Sequence, residues 1–268
     1  MGRKVWEMRE MIPKISLIIP SIRPSMWQGV YDSFLKCFSG DFEIVFVSPE
    51  KGNVNTIPRG EVQWFRDFGC PSRALQIGFL NAKADWVSFG TDDATYFPYI
   101  MDKAWRILQM RYFNYKTVIS CPYTESDSWS KWMLTPFYYM AWFHAGVRHW
   151  NIPIDTKLYM YGLISKKLMT EIGGFDTKYE SMALTYVDLS LRMRFYGCKV
   201  IIGKDRICHC IWQDKEKSDH SSVHHACVDH DIPLLKGIYF DRKFKPQIKI
   251  NPENWKNSAS HWPRRFPQ

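Results

Sequence analysis

At 268 residues, 46% of them hydrophobic, the chain can bury a full core as one large or two closely merged domains, and its apolar runs are far too short to span a bilayer. A formal charge of +9 marks a surface that attracts anions, yet the basic residues are dispersed rather than gathered into a stripe, so no nucleic-acid partner is expected. Seven cysteines, odd in number and scattered, argue against a disulfide scaffold and for a reducing, cytoplasmic compartment.

In chain order, residues 1–13 read as an N-terminal extension, and MGRKVWEMRE has no apolar h-region that would predict a secretion signal. From residue 14 strand and helix signals alternate. Ile15–Pro20 is a continuous apolar run ending in Pro and Ser, as a buried parallel strand does. A helical stretch follows around Met26–Phe38, then a buried strand over Phe42–Ser48 and a short one over Val62–Arg66. Leu75, Phe79 and Leu80 share one face of a helix predicted over Ser72–Ala84. Trp86–Gly90 reads as the fourth strand, Pro98–Tyr112 as an amphipathic helix, and Thr117–Cys121 as a further strand. This order predicts an α/β fold, a mostly parallel central sheet with helices on both faces, whose strand-end loops converge on one edge.

Residues 122–160 break the alternation. Trp129, Trp132, Phe137, Tyr138, Tyr139, Trp142, Phe143 and Trp150 crowd together there without a clean period. They read as core or lid packing, or as a flat aromatic platform of the kind sugars and lipid-linked acceptors exploit. Order resumes with a strand near Tyr159–Ser165, a short helix from Lys166, the turn Gly173-Gly174-Phe175-Asp176, and a helix from Thr185 to Tyr196 that Gly197 ends. Strands follow at Lys199–Ile202 and Ile207–Trp212, and residues 213–268 read as a loosely packed polar tail.

The most informative stretch is WVSFGTDDATYFP, residues 86–98. An apolar strand that runs into Asp92-Asp93 puts paired carboxylates at the rim of a sheet, where open α/β folds bind ligands. Two adjacent acids repel each other unless a cation sits between them and an anionic ligand. The alternative is a helix N-cap, since Asp and Thr before a first-turn Pro are common.

Four segments together resemble the family-2 glycosyltransferases of GT-A fold, over roughly residues 14–212: SLIIPS at 16–21, ALQIG at 74–78 with AKADWVSFGTDDATYFP at 82–98, YGLISKKLMTEIGGFD at 161–176, and VDLSLRMRFYG at 187–197. The resemblance implies a nucleotide-sugar-binding half over 14–121 and an acceptor-side half over 122–212 of one domain. It implies a metal-assisted, inverting transfer from a nucleoside-diphosphate sugar, a UDP-sugar first among them, to a glycan, lipid-linked or protein acceptor. Mn²⁺ or Mg²⁺ would neutralise the diphosphate leaving group through a few oxygen ligands. Asp93 matches the last acid of the family's DxD motif and is expected to hold the metal, with His209 completing its shell. Asp92 matches the middle acid and should touch the ribose or a metal-bound water; Thr91 replaces the first acid.

By the same resemblance Pro20, Ser21 and Arg23 line the base and diphosphate pocket, Asp67 lies near the base, and Arg73 leans on a phosphate. Where the family commonly ends a strand in two acids, this chain reads Ser48-Pro49-Glu50, leaving only Glu50 charged. An inverting transferase needs a carboxylate to deprotonate the acceptor hydroxyl. The family's Glu-Asp pair reads Thr185-Tyr186 here, so the expected bases are Asp188 and then Glu180. Asp188 is equally placed for an i,i+4 ion pair with Arg192. Loss of the acid pair keeps a second reading open, a catalytically degenerate GT-A-fold protein that only binds nucleotide or glycan. A rival metal set, Cys208, His209, Cys210, His220, His224, His225, Cys227 and His230, has zinc-binding side chains but lacks CxxC pairing. Peripheral membrane contact through the basic and aromatic surface is compatible with all of this.

Overall fold

The structure, a computed structural model, describes residues 12–110, 112–126, 133–134, 157–159, 161–211, 219–239 and 247–267. The aromatic residues Trp129, Trp132, Phe137, Tyr138, Tyr139, Trp142, Phe143 and Trp150 lie outside them. In chain order the elements are β1 (Ile15–Pro20), α1 (Trp27–Cys37), β2 (Phe42–Ser48), β3 (Gly60–Arg66), α2 (Pro71–Asn81), β4 (Trp86–Phe89), β5 (Ala94–Tyr96) and α3 (Ile100–Leu108). Then come β6 (Thr117–Cys121), β7 (Tyr123–Ser126), β8 (Met133–Leu134), β9 (Tyr161–Ser165), α4 (Lys166–Ile172), α5 (Met182–Phe195), β10 (Lys199–Ile202) and β11 (Cys208–Ile211). A last helical segment runs as α6 (Ser221–His225), a π-helical turn (Ala226–Asp231) and α7 (Ile232–Tyr239).

Seven strands form the central sheet in the order β10-β6-β9-β4-β1-β2-β3. β1 is parallel to β2 and β4, β3 to β2, and β10 to β6; only β9 is reversed, antiparallel to β4 and β6. The apolar runs of β1 and β2 are explained by cover on both faces. With a side-chain period of two, Ile15, Leu17, Ile19, Phe42, Ile44 and Phe46 pack with α1, while Ile18 and Val45 pack on the other side with Leu75 and Phe79 of α2. The Trp27 indole stacks on Phe46 at 4.0 Å between ring centroids. A second sheet, in the order β5-β11-β7-β8, begins directly after Asp93, so the acid pair lies in the connection where the chain leaves one sheet for the other. Among the described residues no helix is long and apolar enough to cross a membrane.

Three expectations change. The helix expected from Pro98 starts at Ile100, behind Tyr99 at φ +62°, and residues 94–96 are strand. Pairing with β11 outweighs local preference there, because Tyr96 fills the core edge-on to Phe34 at 5.2 Å. α5 starts at Met182 rather than Thr185, with Ser181 as its N-cap accepting from the Leu184 amide. Past residue 213 the chain forms a helical segment rather than an irregular one, and Ala226, Asp231, Leu235 and Trp262 are buried. Their apolar residues are spread among polar ones, so composition reads as tail although Leu235 joins the main core and Ala226 and Trp262 pack with Cys70.

Candidate active site at the carboxyl edge of the sheet

β1 and β4 are parallel neighbours with Ile18 opposite Phe89, so both chains leave the sheet at one edge. The Gly90 amide donates to the Ile18 carbonyl at 2.9 Å. Beyond it, one oxygen of Asp92 accepts from the Ser21 hydroxyl (2.9 Å), the Ile22 amide (3.0 Å) and the Arg23 amide (2.9 Å). Trp27 Nε1 in turn donates to Ser21 Oγ at 2.7 Å. Hydrogen bonds to a carboxylate are the strong class, and three on one oxygen make Asp92 the fastener between the loop after β1 and the loop after β4. Neither acid caps a helix, since α3 starts at Ile100.

Arg23 carries the electrostatics. Its Nη1 is 3.4 Å from Asp92 Oδ1 and 3.4 Å from Asp93 Oδ2, with both acid side chains 6% exposed. Its Nε donates to Asp219 Oδ2 at 3.0 Å, and its Nη2 meets His220 Nε2 at 2.8 Å. Burial works against the guanidinium charge, but Asp92, Asp93 and Asp219 outweigh it and raise the Arg23 pKa. Burial raises that of Asp92 despite Arg23. Burial, then the Arg23 charge, lowers that of His220.

These groups face a cavity of about 750 Å³, the size of a small-molecule site. Its polar lining includes Ser21, Arg23, Asp67, Asp92, Asp93 and Glu125; its apolar lining comes from Leu158, Tyr159, Tyr161, Leu184, Tyr186 and Val187, and from Val223, Val228 and Ile232 of the last helical segment. Pro20, Ser21, Arg23, Asp67, Asp92 and Asp93, all singled out from the sequence, therefore converge.

The other expected site residues lie elsewhere. Glu50 is exposed and is not part of the cavity wall. Arg73 is turned from the cavity: Nε donates to Asp67 at 3.0 Å, Nη1 to the Trp255 carbonyl and, at 3.1 Å, to that of Ser258. Asp188 is buried behind the wall with Arg192 Nε at 2.7 Å and the Tyr239 hydroxyl at 2.5 Å, the structural pair rather than a group facing substrate. Glu180 accepts from Arg264 Nε at 2.7 Å.

His209 sits on β11 with Nδ1 3.0 Å from Thr124 Oγ1. Alternation along the strand puts Cys208 and Cys210 on the opposite face, and it is Cys210 that meets Thr91 (3.6 Å) and Tyr161 (3.4 Å) beside the cavity. Among the described residues no group of three or more His, Cys, Asp or Glu side chains is placed to hold a metal ion. That covers the Cys/His set; His209, unlike Asp93, is not part of the cavity wall. The acid pair instead holds Arg23, so the residues present do not fit a resident divalent ion.

Sequence reading missed Glu125 and Arg265, and named His220 only within the rival metal set. Glu125 lines the cavity from β7, opposite Cys210 of β11, which is itself opposite Ala94. Two strand spacings, about 10 Å, separate the Glu125 backbone from that of Ala94, the residue after the acid pair. Only the strand pairing, invisible locally, selects it from the other acids. Arg265 returns from the far end of the chain, donating to the Asp219 carbonyl at 2.6 Å and Ser222 Oγ at 3.0 Å.

No protein-family model matches this chain, and no curated protein matches it in sequence. Solved structures of TarS from S. aureus, a glycosyltransferase, share the fold. TarS 1-349 in complex with UDP is 12% identical with a TM-score of 0.52, over 81% of this chain and 66% of that one. The complex with UDP-GlcNAc is 11% identical with a TM-score of 0.51, over 75% and 59%. Another TarS structure is 13% identical with a TM-score of 0.52, over 74% of this chain and 37% of that one. The chain thus spans less than two thirds of each of these. The fold is GT-A-like: a mixed, mostly parallel sheet with helices on both faces.

Proposed function

We propose that this chain is a glycosyltransferase that moves a sugar from a nucleoside-diphosphate sugar, with UDP the first nucleotide to test, to an acceptor lying along the apolar wall of the cavity. The observation that carries this is the Arg23–Asp92–Asp93 cluster, at the carboxyl edge of a GT-A-like sheet, opening on a cavity of about 750 Å³. The TarS complexes with UDP and with UDP-GlcNAc support the donor class.

The chemistry is an inverting displacement. The acceptor oxygen forms a bond to the anomeric carbon while the bond from that carbon to the diphosphate breaks and its electron pair leaves with the phosphate. The hydroxyl proton passes to a carboxylate on the acceptor side. Asp188 and Glu180, the sequence-based choices, are held by Arg192 and Arg264. Glu125 takes the role in this reading, because it lines the same cavity as Asp92 and Asp93, which Asp188 and Glu180 do not.

Calorimetric titration with UDP, GDP and CDP, followed by donor hydrolysis with the matching sugar nucleotides, tests the reading. One nucleotide binds, its sugar is released, and Glu125→Gln lowers turnover by about 10²–10⁴-fold with nucleotide affinity unchanged. Full turnover in Glu125→Gln refutes this base. Tight binding with no turnover in any acceptor screen favours the degenerate binding protein.

A further inference from the structure

Arg23 occupies the place where a divalent ion would be expected, and it is held from two sides. Its inner nitrogen, Nη1, is buried at 3.4 Å from each acid without a hydrogen bond of its own. Its outer edge, Nε and Nη2, faces Asp219 and His220 of the last helical segment. A guanidinium edge is a two-pronged donor matched to carboxylate and phosphate alike. Here it grips a carboxylate whose side chain is 36% exposed, the most exposed partner in the cluster.

Resting on the donor-site reading above, we propose that Arg23 is the resident cation of this site, that the donor diphosphate binds its outer edge in exchange for the Asp219 carboxylate, and that binding needs no divalent ion.

The charges support the exchange. Asp67 lines the cavity, but its charge is balanced by Arg73, which lies outside it. With Asp219 in place, Arg23, Lys236 and Arg265 face Asp92, Asp93, Glu125 and Asp219, one net negative charge that repels a diphosphate. With Asp219 turned to solvent the same set is neutral. Asp92 stays behind, because its three hydrogen bonds hold it to the loop after β1. Arg23 Nη1 remains on the acid pair, so the guanidinium is oriented before the ligand arrives, which reduces the ordering that binding requires. Asp219 thereby acts as a phosphate surrogate that keeps the arginine positioned in the free protein.

Titration of the full chain with UDP, GDP and CDP, in excess EDTA and again with Mn²⁺, is the test. The nucleotide that binds should do so with nearly equal affinity in both buffers. Arg23→Ala should lose at least about 10-fold in EDTA, the loss of one charged hydrogen bond or more. Arg23→Lys, which keeps the charge and the fold but not the fork, should fall between. Asp219→Asn should bind about 3-fold tighter, as suits release of one exposed ion pair. Binding seen only with Mn²⁺, an Arg23→Ala protein that binds as wild type does, or an unchanged affinity in Asp219→Asn overturns the inference while leaving the donor site standing. Failure of all three nucleotides in both buffers removes the donor-site reading and this inference with it.

Discussion

Replacing Asp188 separates a structural acid from a chemical one. Its side chain is 3% exposed and that of Arg192 1%. The pair does more than balance charge. Arg192 also donates to the carbonyls of Ile172 (3.1 Å) and Gly174 (2.7 Å), and Tyr239 donates to Asp188 from α7. α5 is thereby tied to the turn after α4 and to the last helical segment. Asp188→Ala leaves a guanidinium buried without its counter-ion, which costs about 3–5 kcal/mol. At about 2–4 °C per kcal/mol for a domain of this size, the melting midpoint should fall by about 10 °C. Asp188→Asn, which keeps an acceptor but loses the charge, should fall less. Asp188→Leu with Arg192→Met should recover most of the loss, because removing both partners leaves no orphaned charge. Thermal unfolding by circular dichroism reads all four proteins, with nucleotide affinity measured well below the midpoint. If Asp188→Ala melts within about 2 °C of wild type yet turnover collapses, the carboxylate acts on substrate and the reasoning fails.

Two further outcomes follow from the geometry. Gly162 on β9 has φ +131°, and an added Cβ would sit 2.2 Å from the Ile119 carbonyl oxygen across the sheet. Gly162→Ala should therefore cost more than about 3 kcal/mol from backbone strain and overpacking together; a melting curve that overlays wild type would refute the reversed-strand geometry. His220, whose pKa burial and Arg23 hold below the ordinary 6.5, binds its proton more readily in the unfolded chain. Its contribution is present above pH 6.5 and is lost as pH falls toward the lower folded value. Urea midpoints at a series of pH values should decline across that window, with a shallower decline in His220→Gln; equal slopes would count against it.

The local record in the chain carried far. The apolar runs of β1 and β2, the helical spacing of α1 and α2, and a strand stopping at Asp92-Asp93 all depend on neighbours in sequence, and period and punctuation express them directly. The same holds for the convergence of Ser21, Arg23, Asp67 and the two acids, because parallel strands deliver their ends to one edge. Other features depend on contacts between distant residues. Arg23 meets Asp92 from 69 residues away and Asp219 from 196, so its role as counter-ion has no local signature. Whether His209 or its cysteine neighbours face the cavity is a parity that only the pairing of β11 with β5 and β7 sets. Asp188, expected in the site, and Glu125, not singled out, are placed differently for the same reason. Packing turned one carboxylate inward against Arg192 and the other toward the open cavity, and only burial and partners distinguish two acids that look alike along the chain.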